Sequence, residues 1–112
     1  MEQNVIKVFK ALGEPTRLKI IRLLSFQSMC VCELSEVLDM LQPRISQHMK
    51  VLKEAGLVSE SKQGYWIYYS LKKTTLEKQW HLFSSFLDQD LDQIEGYEGI
   101  KEKIKNLSCK IK

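Results

Sequence analysis

Apolar residues at Val5, Phe9 and Leu12 recur at helical spacing until Gly13, which predicts a short first helix. Pro15 then stands where a first-turn proline is tolerated, and Leu18, Ile20, Ile21, Leu23 and Leu24 supply the apolar side of a second helix. A third helix is predicted to start near Cys30 to Cys32, with Leu34, Val37 and Leu38 inward. The stretch Asp39-Met40-Leu41-Gln42 is short enough to be a turn between helices. Pro43 opens a fourth helix in which Ile45, Met49 and Leu52 share one face, and Gly56 after Ala55 marks its end.

The period then changes. Val58 to Lys62 and Tyr65 to Leu71 are β-prone runs separated by Gln63-Gly64, the signal of a hairpin. Beyond Lys73, Leu76, Trp80, Phe83, Leu87, Leu91 and Ile94 step by threes and fours, which predicts a long amphipathic helix. So many large apolar groups in one stripe call for a partner helix, within the chain or from a second subunit. Gly96 and Gly99 break the run, and Ile100, Ile104, Leu107 and Ile111 repeat the pattern in a lysine-rich final helix. The expected architecture is mainly α with a small β-hairpin: a winged helix-turn-helix, dimeric through its N- and C-terminal helices. Residues 1–95 are expected to form the DNA-binding and dimerisation domain, and residues 96–112 a C-terminal amphipathic extension.

At roughly 100° per residue, Arg44, Ser46, Gln47 and Lys50 fall on the side of the fourth helix away from Ile45, Met49 and Leu52. Arg and Gln pair bidentately with base edges, while Lys and Ser hold phosphates, so this face suits duplex DNA. A merely solvated polar face is the competing reading. His48 projects at the edge of the apolar stripe, where packing competes with DNA contact. With Gln42 at the end of the turn, it completes the candidate set on this element. Lys62 near the hairpin tip reaches towards phosphate, and Tyr65 offers a hydroxyl.

Charge supports the division of labour. The net charge of +3 is mild, but residues 1–72 carry ten Lys or Arg against seven Asp or Glu, whereas residues 73–112 carry seven of each. The excess therefore sits in the half with the candidate DNA-contacting face, and the stretch from Asp88 to Glu98 would avoid phosphate. No apolar run reaches the roughly 18 residues of a membrane helix, and no signal-peptide pattern opens the chain. A cytoplasmic protein without membrane contact is expected. Nothing in the sequence offers a nucleophile with a base or a phosphate-binding loop, so no enzyme is expected.

Three cysteines, two of them only two residues apart, do not make a disulfide framework. Cys30 and Cys32 are instead candidate soft ligands or redox groups, with small core or capping residues as the plain alternative. In an unbroken helix the two would point about 200° apart, so joint ligation requires the first turn to be absent or to unwind. Cys109 is expected on the exposed side of the last helix.

These residues carry a resemblance. Ala11-Leu12-Gly13-Glu14-Pro15-Thr16-Arg17-Leu18, Cys30-Val31-Cys32-Glu33-Leu34, Ser46-Gln47-His48 followed by Leu52, and Ala55-Gly56-Leu57-Val58 leading to Gly64 occur in order. The chain resembles the ArsR/SmtB family of metal-responsive repressors over about residues 5 to 90. The resemblance implies a homodimer on double-stranded operator DNA, released when an inducer binds. Its Cys-Val-Cys segment implies arsenite or antimonite, As(III) or Sb(III), with Cd(II), Pb(II) or Zn(II) in other branches and thiol oxidation as an alternative signal. No obligatory cofactor is implied. The arsenite type places a third cysteine where this chain has Ser35, so Cys109, an outside thiol or hydroxide would complete the site. Another family site pairs Asp and His on the dimer helix; here Gln79 stands two residues before His81.

Overall fold

The computed structural model describes residues 2–108, with side-chain surroundings from Asn4 onward; Cys109 and Ile111 lie outside the described residues. The elements in order are α1 (Glu2–Leu12), α2 (Pro15–Phe26), β1 (Met29–Cys30), α3 (Val31–Leu38), α4 (Gln42–Glu54), β2 (Val58–Gln63), β3 (Trp66–Leu71), α5 (Lys73–Asp88), a 3-10 turn (Leu91–Gln93) and α6 (Ile100–Lys105). They form two compact units, Met1–Leu82 and Phe83–Lys112.

The core of the first unit takes most of its residues from the predicted faces, but Leu18, expected on the apolar side of α2, is 54% exposed, and Ile20 and Leu24 are the buried residues of that helix. Ile20 from α2, Leu34 from α3, Ile45, Met49 and Leu52 from α4 and Leu57 just beyond it are fully buried. Val37, expected inward, is 57% exposed, because Leu34 and Leu38 already supply the core face of this two-turn helix. In α1 the buried core residues are Val8 and Ala11, with Leu12 packed against them, while Val5, Val8, Phe9 and Leu12 also line an open cleft of about 810 Å³ with Leu71, Leu76 and Trp80.

Two helix ends show why the chain turns where it does. At the end of α4, the Leu57 N–H donates to the Leu52 carbonyl and the Gly56 N–H to the Lys53 carbonyl, at 3.0 and 2.9 Å. This is the double bond of a Schellman motif, and Gly56 supplies its left-handed residue at φ 76°. At the end of α3 the same pattern recurs, with Met40 N–H on Ser35 and Asp39 N–H on Glu36, but the left-handed residue is Asp39 at φ 53°. Aspartate is among the few residues with a side chain that visit this region. The Ser35 hydroxyl donates to the Met40 carbonyl and closes the same turn.

The sheet is antiparallel in the order β1-β3-β2. Gln63 pairs with Trp66, so the hairpin turn is Gly64-Tyr65 and not Gln63-Gly64. A positive φ confined to Gly64, the first turn residue, is the pattern of a type II′ hairpin. The third strand is an addition to the expected hairpin: Met29 pairs with Tyr69 and Cys30 with Tyr68.

The second unit departs from the expected uninterrupted stripe. The helix stops at Asp88, and the Asp90 side chain accepts the Asp92 N–H at 2.9 Å, a local bond that competes with helix continuation. Lys101 bridges back to Asp90 at 3.0 Å and holds that carboxyl below its usual range. Phe83 stacks on Phe86, and Phe86 meets Tyr97 edge-on. Among the described residues, the final helix is the six-residue α6.

Candidate nucleic-acid interface and thiol pair

Helix α4 is amphipathic in the manner a groove-reading helix needs. Its inner face holds Ile45, Met49 and Leu52, and Gln42, Arg44, Ser46, Gln47 and Lys50 are all exposed. Gln42 is the first residue of the helix, one position earlier than expected, with Pro43 behind it. Arg44 lies in the first turn, so the polar side chains begin at the helix N-terminus, the end that a helix-turn-helix brings to base edges. Its only acidic residue is Glu54, at the far end.

The wing brings two more of the expected residues to the surface. Lys62 is exposed one residue before the end of β2, and Tyr65 at the tip is completely exposed. The root of the wing is tied to α4 through Glu60, which contacts the Lys53 ammonium with one oxygen and accepts the Tyr69 hydroxyl at 3.0 Å with the other. These two donors, Lys53 first, hold the Glu60 carboxyl below its usual range. Burial, and then Glu60, raise the Tyr69 hydroxyl above its usual value.

His48 is half-buried, at the boundary its place on the wheel indicated. Its Nδ1 lies 3.3 Å from Arg17 Nη1. Arginine only donates, so Nδ1 is the acceptor and Nε2 carries the imidazole hydrogen. The same guanidinium donates from Nε to the Ala11 carbonyl at 2.6 Å and from Nη2 to the Lys10 carbonyl at 3.3 Å. Arg17 thus gathers the unsatisfied carbonyls at the end of α1 and touches the recognition helix. Glu14 is the N-cap of α2: its carboxylate accepts the Arg17 backbone N–H at 2.9 Å, and this bond lowers its pKa. Sequence reasoning met Arg17 only as part of a motif; the proline at the start of α2 fixed its position, but no local signal named its partners.

Cys30 is buried and Cys32 half-buried, both as free thiols. Cys30 is the N-cap of α3, extended at φ −88° and ψ 168°, and Glu33 Oε1 accepts its N–H at 3.0 Å in a capping-box arrangement. Cys32 is the second helical residue. Ser35, in the position of the third cysteine, is committed to the Met40 carbonyl. Among the described residues no three His, Cys, Asp or Glu side chains are grouped to hold a metal ion.

The model for the arsR family of bacterial regulatory proteins matches residues 14–60. The transcriptional repressor SdpR of Bacillus subtilis is 37% identical over 82 residues, which cover 73% of this chain and 91% of that protein. This chain belongs to the arsR family. It is a helix-turn-helix transcriptional regulator, not an enzyme. The arsenical resistance operon repressor of Escherichia coli is 48% identical over 67 residues, 59% of this chain and 57% of that repressor. Among solved structures, a possible transcriptional regulator for arsenical resistance superposes with a TM-score of 0.63 at 32% identity, covering 85% of this chain and 93% of that one. The homodimeric winged helix-turn-helix domain of Mb0332 from Mycobacterium bovis gives 0.64 at 26% identity, covering 83% and 86%. The family match begins at Glu14 and ends at Glu60, so it takes in Arg17 and His48, Cys30 and Cys32, and the whole of α4. No helix among the described residues of this arsR-family regulator is long and apolar enough to cross a membrane.

Proposed function

We propose that the chain is a cytoplasmic, homodimeric repressor that holds double-stranded operator DNA and releases it when arsenite or antimonite binds Cys30 and Cys32. Gln42, Arg44, Ser46, Gln47 and Lys50 make the contacts of α4, Lys62 and Tyr65 those of the wing, and His48 sets the helix position through Arg17. The apolar cleft between α1 and α5 is the face that a second copy covers, in keeping with the homodimeric relative. Residues 1–95 form the working domain and 96–112 its extension.

The observation that carries the sensing step is the place of Cys30. It ends β1, caps α3 and precedes Cys32 by two residues, so one thiol sits where the sheet meets the helix-turn-helix. Thiolates select soft ions such as As(III), and the relatives named for arsenical resistance support that choice. Each arsenic–sulfur bond replaces a hydroxide of arsenous acid and releases one water with the thiol proton. Because Cys30 is buried and Cys32 lies within the helix, grasping one ion with both draws the first turn of α3 out of shape and displaces α4 behind it. The third arsenic position keeps hydroxide or takes Cys109.

Fluorescence anisotropy of the reduced full-length protein on a duplex from upstream of its own gene tests this, with arsenite, antimonite, cadmium, lead, zinc and peroxide titrated in parallel. Release by arsenite or antimonite is expected, and the double variant Cys30→Ser/Cys32→Ser binds the duplex but is not released. Release of the double variant, or of the parent by none of the additions, overturns the thiol sensor while leaving the repressor.

A further inference from the structure

The N-cap of α4 is Leu41, among the poorest residues for that position, and it makes no side-chain capping bond. Only its carbonyl takes part, accepting the N–H groups of Arg44 and Ile45 at 3.0 and 3.2 Å. Nor does its side chain contribute to the core: Leu41 is 79% exposed. The packing role at this helix start belongs to its neighbours. Met40 before the cap and Ile45 in the first turn occupy the two positions of a hydrophobic staple, and both pack in the core cluster. A large apolar side chain therefore stands in water at the tip of the recognition helix, beside the exposed Gln42 and Arg44.

The tip of a recognition helix enters the major groove, and the apolar feature distinguishing base pairs there is the C5-methyl of thymine. We propose that Leu41 is a specificity-determining residue that packs on a thymine methyl in each half-site of the operator, while Gln42 and Arg44 address the adjoining polar edges. This rests on the DNA-binding reading above. A serine at this position would cap the helix better and read no methyl, so local stability and sequence discrimination pull in opposite directions at this residue.

The probe is a duplex enriched from a random pool by the full-length protein, in which each thymine is replaced in turn by deoxyuridine, removing only the methyl. One thymine per half-site is expected to lose about fourfold in affinity on demethylation, the scale of one buried methyl group. Leu41→Ala and Leu41→Ser bind the parent duplex more weakly by about the same factor and no longer distinguish thymine from uracil there. Both keep the parent salt slope, because no phosphate contact is touched. Leu41→Ser also unfolds at higher urea than the parent, an effect opposite to that of losing a structural leucine. Equal affinity for every deoxyuridine duplex, or a demethylation loss that persists in both variants, overturns the proposal with salt-dependent binding intact. Absence of any salt-dependent duplex binding instead overturns the repressor reading itself, and the proposal with it.

Discussion

The Arg17 guanidinium joins the end of α1 to the recognition helix: Nη1 lies 3.3 Å from His48 Nδ1 while Nε and Nη2 hold the carbonyls of Ala11 and Lys10. Arg17→Ala leaves those carbonyls without their donor and is expected to cost about 2 kcal/mol of stability, the scale of hydrogen bonds to a charged group. Arg17→Lys is not a rescue, since a single ammonium does not reproduce the planar fork that serves three acceptors. Urea denaturation of both variants checks this, and an unchanged midpoint in either would contradict it.

Glu60 links the stability of the wing root to acid. Its carboxyl is held below the usual 4.5 by Lys53 and then Tyr69, so the pair stabilises the fold above 4.5 and the benefit is lost as pH falls through the depressed value. Tyr69 has the opposite sign: its pKa is raised above 10.0, so its contribution is complete below 10.0 and lost as pH rises through the raised value. Glu60→Gln is expected to flatten the acid limb of a melting-temperature profile. An acid limb as steep as the parent's would place the sensitivity elsewhere.

Gly56 is needed for its backbone and not for space. A Cβ built there meets nothing within 4 Å, but the residue sits at φ 76°. Gly56→Ala is therefore expected to cost about 1 kcal/mol, the penalty of a left-handed residue. Equilibrium unfolding measures it, with circular dichroism showing the fold retained.

If the polar side chains on α4 and the wing contact DNA as proposed, a salt titration is expected to separate them into two kinds. Lys50→Gln and Lys62→Gln are each expected to reduce the slope of log affinity against log salt by about one unit and to weaken all duplexes alike. Gln47→Ala is expected to leave the slope and to lower discrimination at one base pair by roughly 1–3 kcal/mol. A Gln47→Ala variant with altered slope and unaltered discrimination would move that residue to the backbone class.

What could be read from the chain followed the range of the interaction involved. The buried face of α4 and the stop at Gly56 rest on contacts within a few residues, and periodicity displayed both. Strand β1 is too short to show an alternation, and its existence depends on Tyr68 and Tyr69, some forty residues away. The stripe from Leu76 to Ile94 reads as one helix because periodicity does not register the Asp90 side chain competing for a backbone N–H. For the candidate site, exposure of Gln42, Arg44, Ser46, Gln47, Lys50, Lys62 and Tyr65 was legible, whereas the clamp on His48 was not. Arg17 and His48 are 31 positions apart, and only the packing of α2 against α4 brings them together.

The pairing of Cys30 with Tyr68 makes the wing something other than a free flap. β3 is the central strand, hydrogen-bonded on one side to the hairpin arm that carries Lys62 and on the other to the two residues that lead directly into α3. The hairpin is thus anchored at its base to the doorstep of the helix-turn-helix, by the shortest strand in the fold. So short an anchor is among the first places to open in any partial unfolding. A shift of the Cys30 backbone would therefore act on the base of the hairpin and on the first turn of α3 together.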